Sequence, residues 1–379
     1  MLLSNFFFTL LNIRERDKFN MKIGIVTFHN GSNYGAALQT YALQEKYREL
    51  GHEVSIINYQ NEFIMAGLNP IRRGRGLKGL YFTLYDLLNY NNNKRKISGF
   101  IDFFNSYYSL TEPLDKEALK NKDLGFDVVV SGSDQIWNPL LNGGFDDIYF
   151  GQICNSKLKI SYASSCGAYN FDDSGKNEEI KHLLEDYKSI CVRENSEILS
   201  RIIGREVGEV CDPTLLLSHE DWCQKTQMRN EHAEGKYILV YALCDFDNVL
   251  RFAKEVARTE RMPIKFIGKL LHRDPNIEYI CDAGPIDFLK LFNNASIIIT
   301  NSFHGTAFSV NFNKEFYSLV HPSSPERAAT FLKHVELFDR LIKPGEKYSE
   351  VKGNTIDYSI INKRLLAIIE ESEKWLLPC

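Results

Sequence analysis

The residues of this 379-residue chain that are best suited to chemistry lie in polar segments that directly follow apolar runs. One such segment, Asn301-Ser302-Phe303-His304-Gly305, follows Ile297-Ile298-Ile299-Thr300, so we expect His304 where a strand meets a helix. The N-terminus of a helix offers free N–H donors to an anion. A bound phosphate would favour the imidazolium form of His304, which suits a proton donor.

Two arginines are candidate anion ligands. Arg193 follows the apolar run 190–192, where a guanidinium can hold a carboxylate or phosphate through two parallel hydrogen bonds. An ion pair with Glu194 is the structural alternative for this arginine. Arg327 is a second candidate cation, and its alternative is a solvated loop charge. Asp212 also stands at a strand end, where we expect it to cap a turn rather than to catalyse.

Two further loops are rich in polar groups: the first favours an anion or a polar ligand, and the second carries Asp134 and Gln135, which can hydrogen-bond sugar hydroxyls. The first, Asn33-Tyr34-Gly35, comes just before a helix, and the second, Ser131-Gly132-Ser133-Asp134-Gln135-Ile136-Trp137, follows a buried valine run. Neither loop matches the nucleotide-binding patterns GxGxxG and Walker A, or the GxSxG of a nucleophile elbow. The structural alternatives are an Asn/Gly-rich turn in the first loop and a helix N-cap at Ser133 or Asp134 in the second.

Strand-length apolar runs alternate with helical stretches along most of the chain, which predicts an α/β fold with parallel sheets. We expect two Rossmann-like domains that face each other across a cleft, with ligands at the carboxyl ends of the strands. The pattern is less regular in residues 61–125, where residues 89–96 are predicted to form an exposed loop beside an aromatic helix. The predicted organisation is an extension at 1–20, an N-terminal Rossmann-like domain at 21–225, a C-terminal Rossmann-like domain at 226–350, and a C-terminal helix at 351–379 that packs back across both domains.

The composition is that of a soluble globular protein, and it excludes several classes of function. A net charge of −4 argues against a general nucleic-acid binder. The eight cysteines form no CxxC pair and show no zinc-ligand spacing, so we expect reduced thiols, no metal site and a cytoplasmic protein. The apolar segment 2–11 is too short to span a bilayer and lacks the features of a signal peptide. We expect an upstream start or a flexible extension there, and the alternative is peripheral membrane attachment through Phe6, Phe7, Phe8 and Leu11.

The order of these motifs resembles that of the polysaccharide pyruvyl transferase family, from about Met21 to Leu341. The resemblance implies a GT-B-like architecture and an enzyme that transfers the pyruvyl group of phosphoenolpyruvate to a sugar of a capsule or exopolysaccharide intermediate. The product is a cyclic pyruvate ketal, and phosphate is released. The motifs that carry the resemblance are Asn33-Tyr34-Gly35-Ala36-Ala37-Leu38-Gln39, Ser131-Gly132-Ser133-Asp134-Gln135-Ile136-Trp137, Val192-Arg193, Asp212-Pro213-Thr214 and Asn301-Ser302-Phe303-His304-Gly305.

The resemblance also assigns a donor site, with 226–350 as the donor-side domain and 21–225 as the acceptor-side domain. Arg193 and His304 correspond to the family's phosphoenolpyruvate ligands, and Ser302 and Phe303 stand directly before the histidine. Some relatives carry an arginine where this chain has Ser302, so we expect Arg327 to supply the missing cation. His304 is the expected proton donor. Phosphoenolpyruvate is then a substrate, and we expect no tightly bound cofactor and no required divalent metal.

The acceptor side is assigned more indirectly. Asp134 is expected to orient or deprotonate a sugar hydroxyl, and the loop Asn33-Tyr34-Gly35 is expected to face the sugar together with Ser133 and Gln135. Trp137 would offer a flat face for stacking. The expected partners are a sugar or a lipid-linked oligosaccharide, with peripheral contact at the cytoplasmic face of the inner membrane and no nucleic acid.

Two other functions remain open at this point. A GT-B-type glycosyltransferase would use a sugar nucleotide, and Asp282 or Asp287 would then bind the ribose. A non-catalytic carbohydrate-binding component of a polysaccharide assembly complex would keep its sugar affinity after loss of Arg193 and His304.

Overall fold

The computed structural model describes residues 20–72, 76–167, 169, 171, 175–228, 236–268 and 273–377, with residues 77 and 78 described by their backbone alone. The expectations for the N-terminal extension, including attachment through Phe6, Phe7, Phe8 and Leu11, concern residues outside this set.

The first half of the chain forms a five-stranded parallel sheet in the order β2-β1-β3-β4-β5. A short parallel pair, β6-β7, joins the same half, because isolated bridges connect Ser164 both to Val192 and to Asp134. The strands are β1 Lys22–Val26, β2 Glu53–Ile56, β3 Val128–Ser131, β4 Leu158–Ser161, β5 Tyr187–Ser189, β6 Cys191–Val192 and β7 Gly208–Glu209.

The second half forms a six-stranded parallel sheet in the order β10-β9-β8-β11-β12-β13. Its central strands β8 and β11 are buried at every position and apolar except for Thr300, as expected for parallel strands covered on both faces. The strands are β8 Ile238–Tyr241, β9 Ile264–Ile267, β10 Ile277–Ile280, β11 Ile297–Thr300, β12 Glu315–Leu319 and β13 Leu341–Ile342.

The helices connect and cover these strands. They are α1 Tyr34–Glu49, α2 Glu62–Met65, α3 Gly76–Leu88, α4 Tyr90–Tyr107, α5 Lys116–Asn121, α6 Asn177–Leu184, α7 Ser196–Ile203, α8 His219–Lys225, α9 Phe246–Glu260, α10 Pro285–Asn294, α11 Phe303–Asn311, α12 Pro325–His334, α13 Tyr348–Val351 and α14 Tyr358–Glu373. The loop predicted at residues 89–96 is wrong, because α4 already begins at Tyr90. Its later turns bury Phe100, Phe103 and Phe104, which anchors the whole helix.

The two halves share one hydrophobic core at their junction. Tyr34, at the start of α1, stacks on Phe288 of α10 with ring centroids 4.6 Å apart. The final helix contacts both halves: Ser372 accepts a hydrogen bond from the Cys211 N–H, and the Tyr358 hydroxyl contacts the Ser309 carbonyl. The fold is thus α/β with two Rossmann-like domains in the GT-B-like arrangement, as predicted. The exact domain boundary stays a prediction, because residues 229–235 lie outside the described set.

Candidate functional site

Five loops at the carboxyl ends of parallel strands bring charged side chains together. Asp134 lies in the loop after β3, Arg193 directly follows β6, and Asp212 stands three residues beyond β7. The second sheet contributes His304, the second residue of α11 after β11, and Arg327, the third residue of α12 after β12. This is the edge of an open parallel sheet at which ligands bind.

Asp212 connects the two domains at the centre of this group. Its Oδ2 accepts a hydrogen bond of 2.6 Å from Arg193 Nη1 and lies 3.4 Å from His304 Nε2. Its Oδ1 accepts hydrogen bonds from the N–H and hydroxyl of Thr214 at 3.0 and 2.7 Å. Burial by itself would raise the pKa of this carboxyl, but His304, Arg193 and Thr214 together hold it well below its usual range.

Asp212 is therefore a functional candidate that the sequence reasoning missed. The expected cap is present, since Thr214 N–H bonds the side chain at the start of the short helix Pro213–Leu215. The cap uses Oδ1, and the other carboxylate oxygen, Oδ2, contacts Arg193 and His304. Only the position of Asp212 at a strand end pointed to this role in the sequence.

Arg193 is held by carboxylates of the protein itself. Besides Asp212, its Nε donates to Glu194 at 3.1 Å, and its Nη2 lies 3.7 Å from Asp134 Oδ1. Burial opposes the charge, but the three carboxylates raise the pKa of this guanidinium above its ordinary value. The ion pair with Glu194 is thus present, and the free two-point clamp expected from the sequence is wrong. Nη2 is the buried atom of this guanidinium that makes no hydrogen bond.

Arg327 has a different environment, although both guanidiniums contact the same ring. The guanidinium carbons of Arg193 and Arg327 lie 4.7 and 5.1 Å from the ring centroid of Phe303. The Nε of Arg327 is buried without a hydrogen-bond partner. Burial first, and the positive charge of Arg193 second, lower the pKa of Arg327 to about 10. Arg327 is half-buried and lies in helix α12, so the alternative of a solvated loop charge is wrong.

The imidazole of His304 sits in a narrow slot. The Ser302 hydroxyl accepts a hydrogen bond from Gly305 N–H and caps α11, which places His304 in the first turn of that helix. A Cβ atom on Gly35 would lie 2.0 Å from His304 Nδ1, so only glycine leaves room for the ring in this position. Gly35 was predicted to face the acceptor sugar, and the structure instead places it against the candidate proton donor.

Two of the aromatic residues expected at the acceptor are core residues. Tyr34 is buried, and its hydroxyl donates to the Ala283 carbonyl at 2.8 Å. Trp137 is only 1% exposed, stacks on Phe150 at 5.3 Å and donates its N–H to the Tyr149 carbonyl. The expectation that Trp137 offers a stacking face to a sugar is therefore corrected. Tertiary packing covers the ring, and sequence spacing does not reveal such packing.

The polar residues expected at the acceptor are more dispersed. Asn33 is exposed and caps α1, since its side chain accepts a hydrogen bond from Ala36 N–H. Ser133 is fully buried, and its hydroxyl makes no hydrogen bond. Gln135 is half-buried and accepts a hydrogen bond of 3.1 Å from Asn138. Asp134 alone lies against Arg193, and no described helix begins at Ser133 or Asp134, so the N-cap alternative is wrong.

Arg327 borders two cavities. One has a volume of about 350 Å³ and also touches Arg193, Asp212 and Phe303. The other, of about 310 Å³, has a mainly aromatic and aliphatic lining with a few polar side chains. Its lining includes Trp137, Tyr169, Phe171, Leu199, Glu194, Asn195 and Ser323.

The family model of the polysaccharide pyruvyl transferases matches residues 33–324. The chain belongs to this family. The matched span includes Asp134, Arg193, Asp212 and His304, but Arg327 lies three residues beyond it. A comparison with curated proteins finds no match for this pyruvyl transferase family member.

Solved structures similar to this family member are sugar-processing enzymes of low sequence identity. The UDP-GlcNAc 2-epimerase of Methanocaldococcus jannaschii is 14% identical, with 92% of this chain and 93% of that chain covered and a TM-score of 0.46. The E. coli heptosyltransferase WaaC is 10% identical, with coverages of 92% and 99% and a TM-score of 0.40. The glycosyltransferase SsfS6 of Streptomyces sp. SF2575 is 11% identical, with coverages of 94% and 97% and a TM-score of 0.40.

The remaining candidate residues of this family member have structural partners. Asp282 accepts a hydrogen bond of 2.7 Å from Arg95, and Asp287 accepts one of 2.9 Å from Gly284 N–H at the start of α10.

Among the described residues, no group of three or more His, Cys, Asp or Glu is arranged to hold a metal ion. The described cysteines are free thiols, and burial raises the pKa of Cys191 and Cys211 to about 12.

Proposed function

We propose that this protein transfers the pyruvyl group of phosphoenolpyruvate to two hydroxyls of a sugar in a capsule or exopolysaccharide intermediate. The observation that carries the proposal is a set of three buried nitrogen atoms around Phe303 that make no hydrogen bond. They are Arg193 Nη2, Arg327 Nε and His304 Nε2. An unsatisfied buried polar group costs about 1–3 kcal/mol, so a ligand that satisfies all three would bind favourably.

The two guanidiniums beside Phe303 suit a ligand with two anionic groups. The carboxylate and the phosphate of phosphoenolpyruvate would accept hydrogen bonds from Arg193 Nη2 and Arg327 Nε. Their negative charge would also offset the repulsion between the two guanidiniums, which contributes to the lowered pKa of Arg327. Cations held in place before the reaction stabilise charge that develops in the transition state.

In the proposed reaction, His304 gives a proton to C3 of phosphoenolpyruvate while a sugar hydroxyl oxygen forms a bond to C2. Asp134, beside Arg193, accepts the proton of that hydroxyl. A second hydroxyl oxygen then bonds to C2, the bond from C2 to the phosphate oxygen breaks, and inorganic phosphate leaves with the second hydroxyl proton. Gly35 packs against Nδ1, so Nε2 is the nitrogen that gives the proton, and Asp212, 3.4 Å from Nε2, supports its positive charge before the transfer. Gly35 and Asp212 are thus positioning residues.

The acceptor is assigned to the cavity of about 310 Å³ that shares Arg327 and Glu194 with the donor site. Its mixture of apolar surface and a few polar side chains is typical of small-molecule sites. Tyr169 and Phe171 border this cavity and take the place of Trp137 as candidates for contact with a sugar ring. Because the described cysteines are free thiols, we assign the reaction to the cytoplasm.

Thermal stabilisation by the donor tests this proposal directly. Phosphoenolpyruvate at 100 times its dissociation constant should stabilise the wild type by about 2.7 kcal/mol. Arg327→Gln should abolish this effect, and Arg251→Gln, which changes an exposed arginine paired with Glu255, should keep it. Stabilisation by a sugar nucleotide but not by phosphoenolpyruvate would overturn the proposal in favour of a glycosyltransferase.

Phosphate release tests the assigned proton donor. His304→Gln should still be stabilised by phosphoenolpyruvate, while phosphate release with a sugar acceptor should fall by about 10²–10⁴-fold, the usual contribution of one general acid. His182→Gln, which changes an exposed histidine, is the matched control. Turnover of His304→Gln within a few-fold of the wild type would remove His304 from the mechanism.

A further inference from the structure

Helix α3 exposes its apolar side chains and buries its acidic residue. Leu88 is 87% exposed, whereas Asp86, on the same helix, is 2% exposed. The large exposed hydrophobic residues of this helix are Leu80, Tyr81, Leu84, Leu87 and Leu88, which we call the α3 face. Soluble proteins rarely expose a continuous apolar patch without a binding function.

The α3 face is a single stripe along the helix. At 100° per residue, its five members fall within an arc of about 120°. Gly79 and Asp86 are buried on the opposite side. Asp86 accepts hydrogen bonds of 2.7 and 2.9 Å from the Arg72 guanidinium, which also contacts the Phe82 ring at 4.7 Å. The side of α3 that carries Phe82 and Asp86 thus contacts Arg72, and the α3 face on the other side stays exposed.

The surrounding sequence carries a strong local positive charge. Residues 72–96 contain seven Lys and Arg and one Asp, in a chain whose net charge is −4. Carboxylates offset two of the seven cations, since Arg72 is paired with Asp86 and Arg95 with Asp282, and the segment keeps a net positive charge. An exposed apolar helical face within a basic segment is typical of helices that lie in the interface of an anionic membrane.

We propose that the α3 face inserts into the headgroup and acyl-chain boundary of an anionic lipid bilayer, while the basic residues of 72–96 attract the lipid phosphates. Charge favours a bilayer over a second copy of this chain, because a symmetric contact through α3 would bring two basic segments together. The proposal concerns peripheral binding, since no helix in the described part of the chain is long and apolar enough to cross a membrane.

The α3 face is connected to the candidate site through α4. Lys96 of α4 lies 4.9 Å above the ring of Tyr34, and Tyr34 directly precedes Gly35, which packs against His304. Helix α4 thus runs from α3 towards the candidate site. A bilayer bound at α3 would therefore present a lipid-linked sugar on that side of the protein. This consequence rests on the proposed function, but membrane binding itself does not.

Vesicle co-sedimentation of the full chain is the test. The protein should bind vesicles of 30% phosphatidylglycerol in phosphatidylcholine at least 10-fold better than pure phosphatidylcholine vesicles, and 0.5 M salt should weaken the binding. Leu84→Gln/Leu88→Gln should lower binding at least 10-fold. The control Leu140→Gln/Leu366→Gln changes two exposed leucines outside α3 and should bind like the wild type. Equal binding of the two double variants, or no binding to anionic vesicles, would overturn the proposal.

Two further outcomes would also overturn the proposal, one because a second copy covers the α3 face and the other because a different segment binds the vesicles. One is a dimer in sedimentation velocity without lipid that Leu84→Gln/Leu88→Gln dissociates. The other is vesicle binding that is lost when residues 1–19 are deleted but is unchanged in Leu84→Gln/Leu88→Gln. Phosphate release with a soluble sugar should be unchanged in the α3 variant, so failure of the membrane proposal is distinguishable from failure of the proposed function.

Discussion

A Cβ atom on Gly35 would lie 2.0 Å from Nδ1 of His304, which is closer than any side chain can approach. On its other side, the same imidazole has Nε2 at 3.4 Å from Asp212 Oδ2. Both constraints come from the first domain, whereas His304 belongs to the second. The position of the candidate proton donor is therefore set by the junction of the two domains.

Gly35→Ala should displace the His304 ring or the start of α1. Alanine suits a helix better than glycine, so the expected defect is the collision and not the helix. Because a displacement of about 1 Å can cost about 10²-fold in rate, we expect phosphate release to fall by about that factor. Steady-state kinetics of phosphate release measures this change.

Gly31→Ala is the matched control, since Gly31 lies four residues earlier, in the loop before α1, and its Cβ would meet Ile64 Cγ2 at an ordinary 3.4 Å. It should retain turnover within two-fold of the wild type. If Gly35→Ala behaves like this control, the tight fit around His304 has no catalytic importance.

The two arginines beside Phe303 should have opposite effects on stability. Arg327→Gln removes a half-buried charge whose buried Nε has no hydrogen-bond partner, so the free energy of unfolding without ligand should stay the same or rise by up to about 1 kcal/mol. Arg193→Gln removes the cation shared by Asp134, Glu194 and Asp212. This substitution should lower the free energy of unfolding by about 3–5 kcal/mol. Urea unfolding at pH 7 measures both. Equal destabilisation by the two variants would contradict the assignment of Arg327 as the available cation.

Asp212 should give a stability difference that depends on pH. Its pKa in the folded protein is far below the value of about 3.9 in the unfolded chain, so its charge stabilises the protein above that value. The advantage of the wild type over Asp212→Asn should be constant from pH 5 to pH 8. It should shrink as the pH falls towards the folded-state pKa, by about 1.3 kcal/mol at pH 3. Urea unfolding at pH 7, 5 and 3 measures this difference, and an advantage that grows on acidification would show that the carboxyl is neutral in the folded protein.

The placement of the site could be predicted from the sequence because it depends on topology. Arg193 and His304 each follow an apolar run, and the carboxyl ends of parallel strands meet at one edge of a sheet. The pattern of apolar runs alone is enough to bring such residues together. The same reasoning predicted an alternation of strands and helices, which the structure shows from the first elements onward, in β1, α1 and β2.

The contacts within the site could not be predicted, because they depend on side-chain directions across the domain junction. Arg193 and Asp212 are 19 residues apart and meet only when β6 and β7 pair. Gly35 and His304 meet only when α1 packs against α11. The sequence pattern does not show how many carboxylates surround one guanidinium. The capacity of Arg193 to bind a ligand was therefore overestimated, and that of Arg327 was underestimated.

Trp137 offers the sharpest test of the corrected acceptor side. Trp137→Phe keeps an aromatic ring for the stacking on Phe150 but loses the indole N–H that donates to the Tyr149 carbonyl at 3.0 Å. The free energy of unfolding should fall by about 1–2 kcal/mol, because a buried hydrogen bond is lost and its acceptor is left without that donor. The KM for the sugar acceptor should stay within two-fold of the wild type, since the ring is a core residue. A variant of unchanged stability whose acceptor KM rises 10-fold or more would instead return Trp137 to the sugar-binding surface.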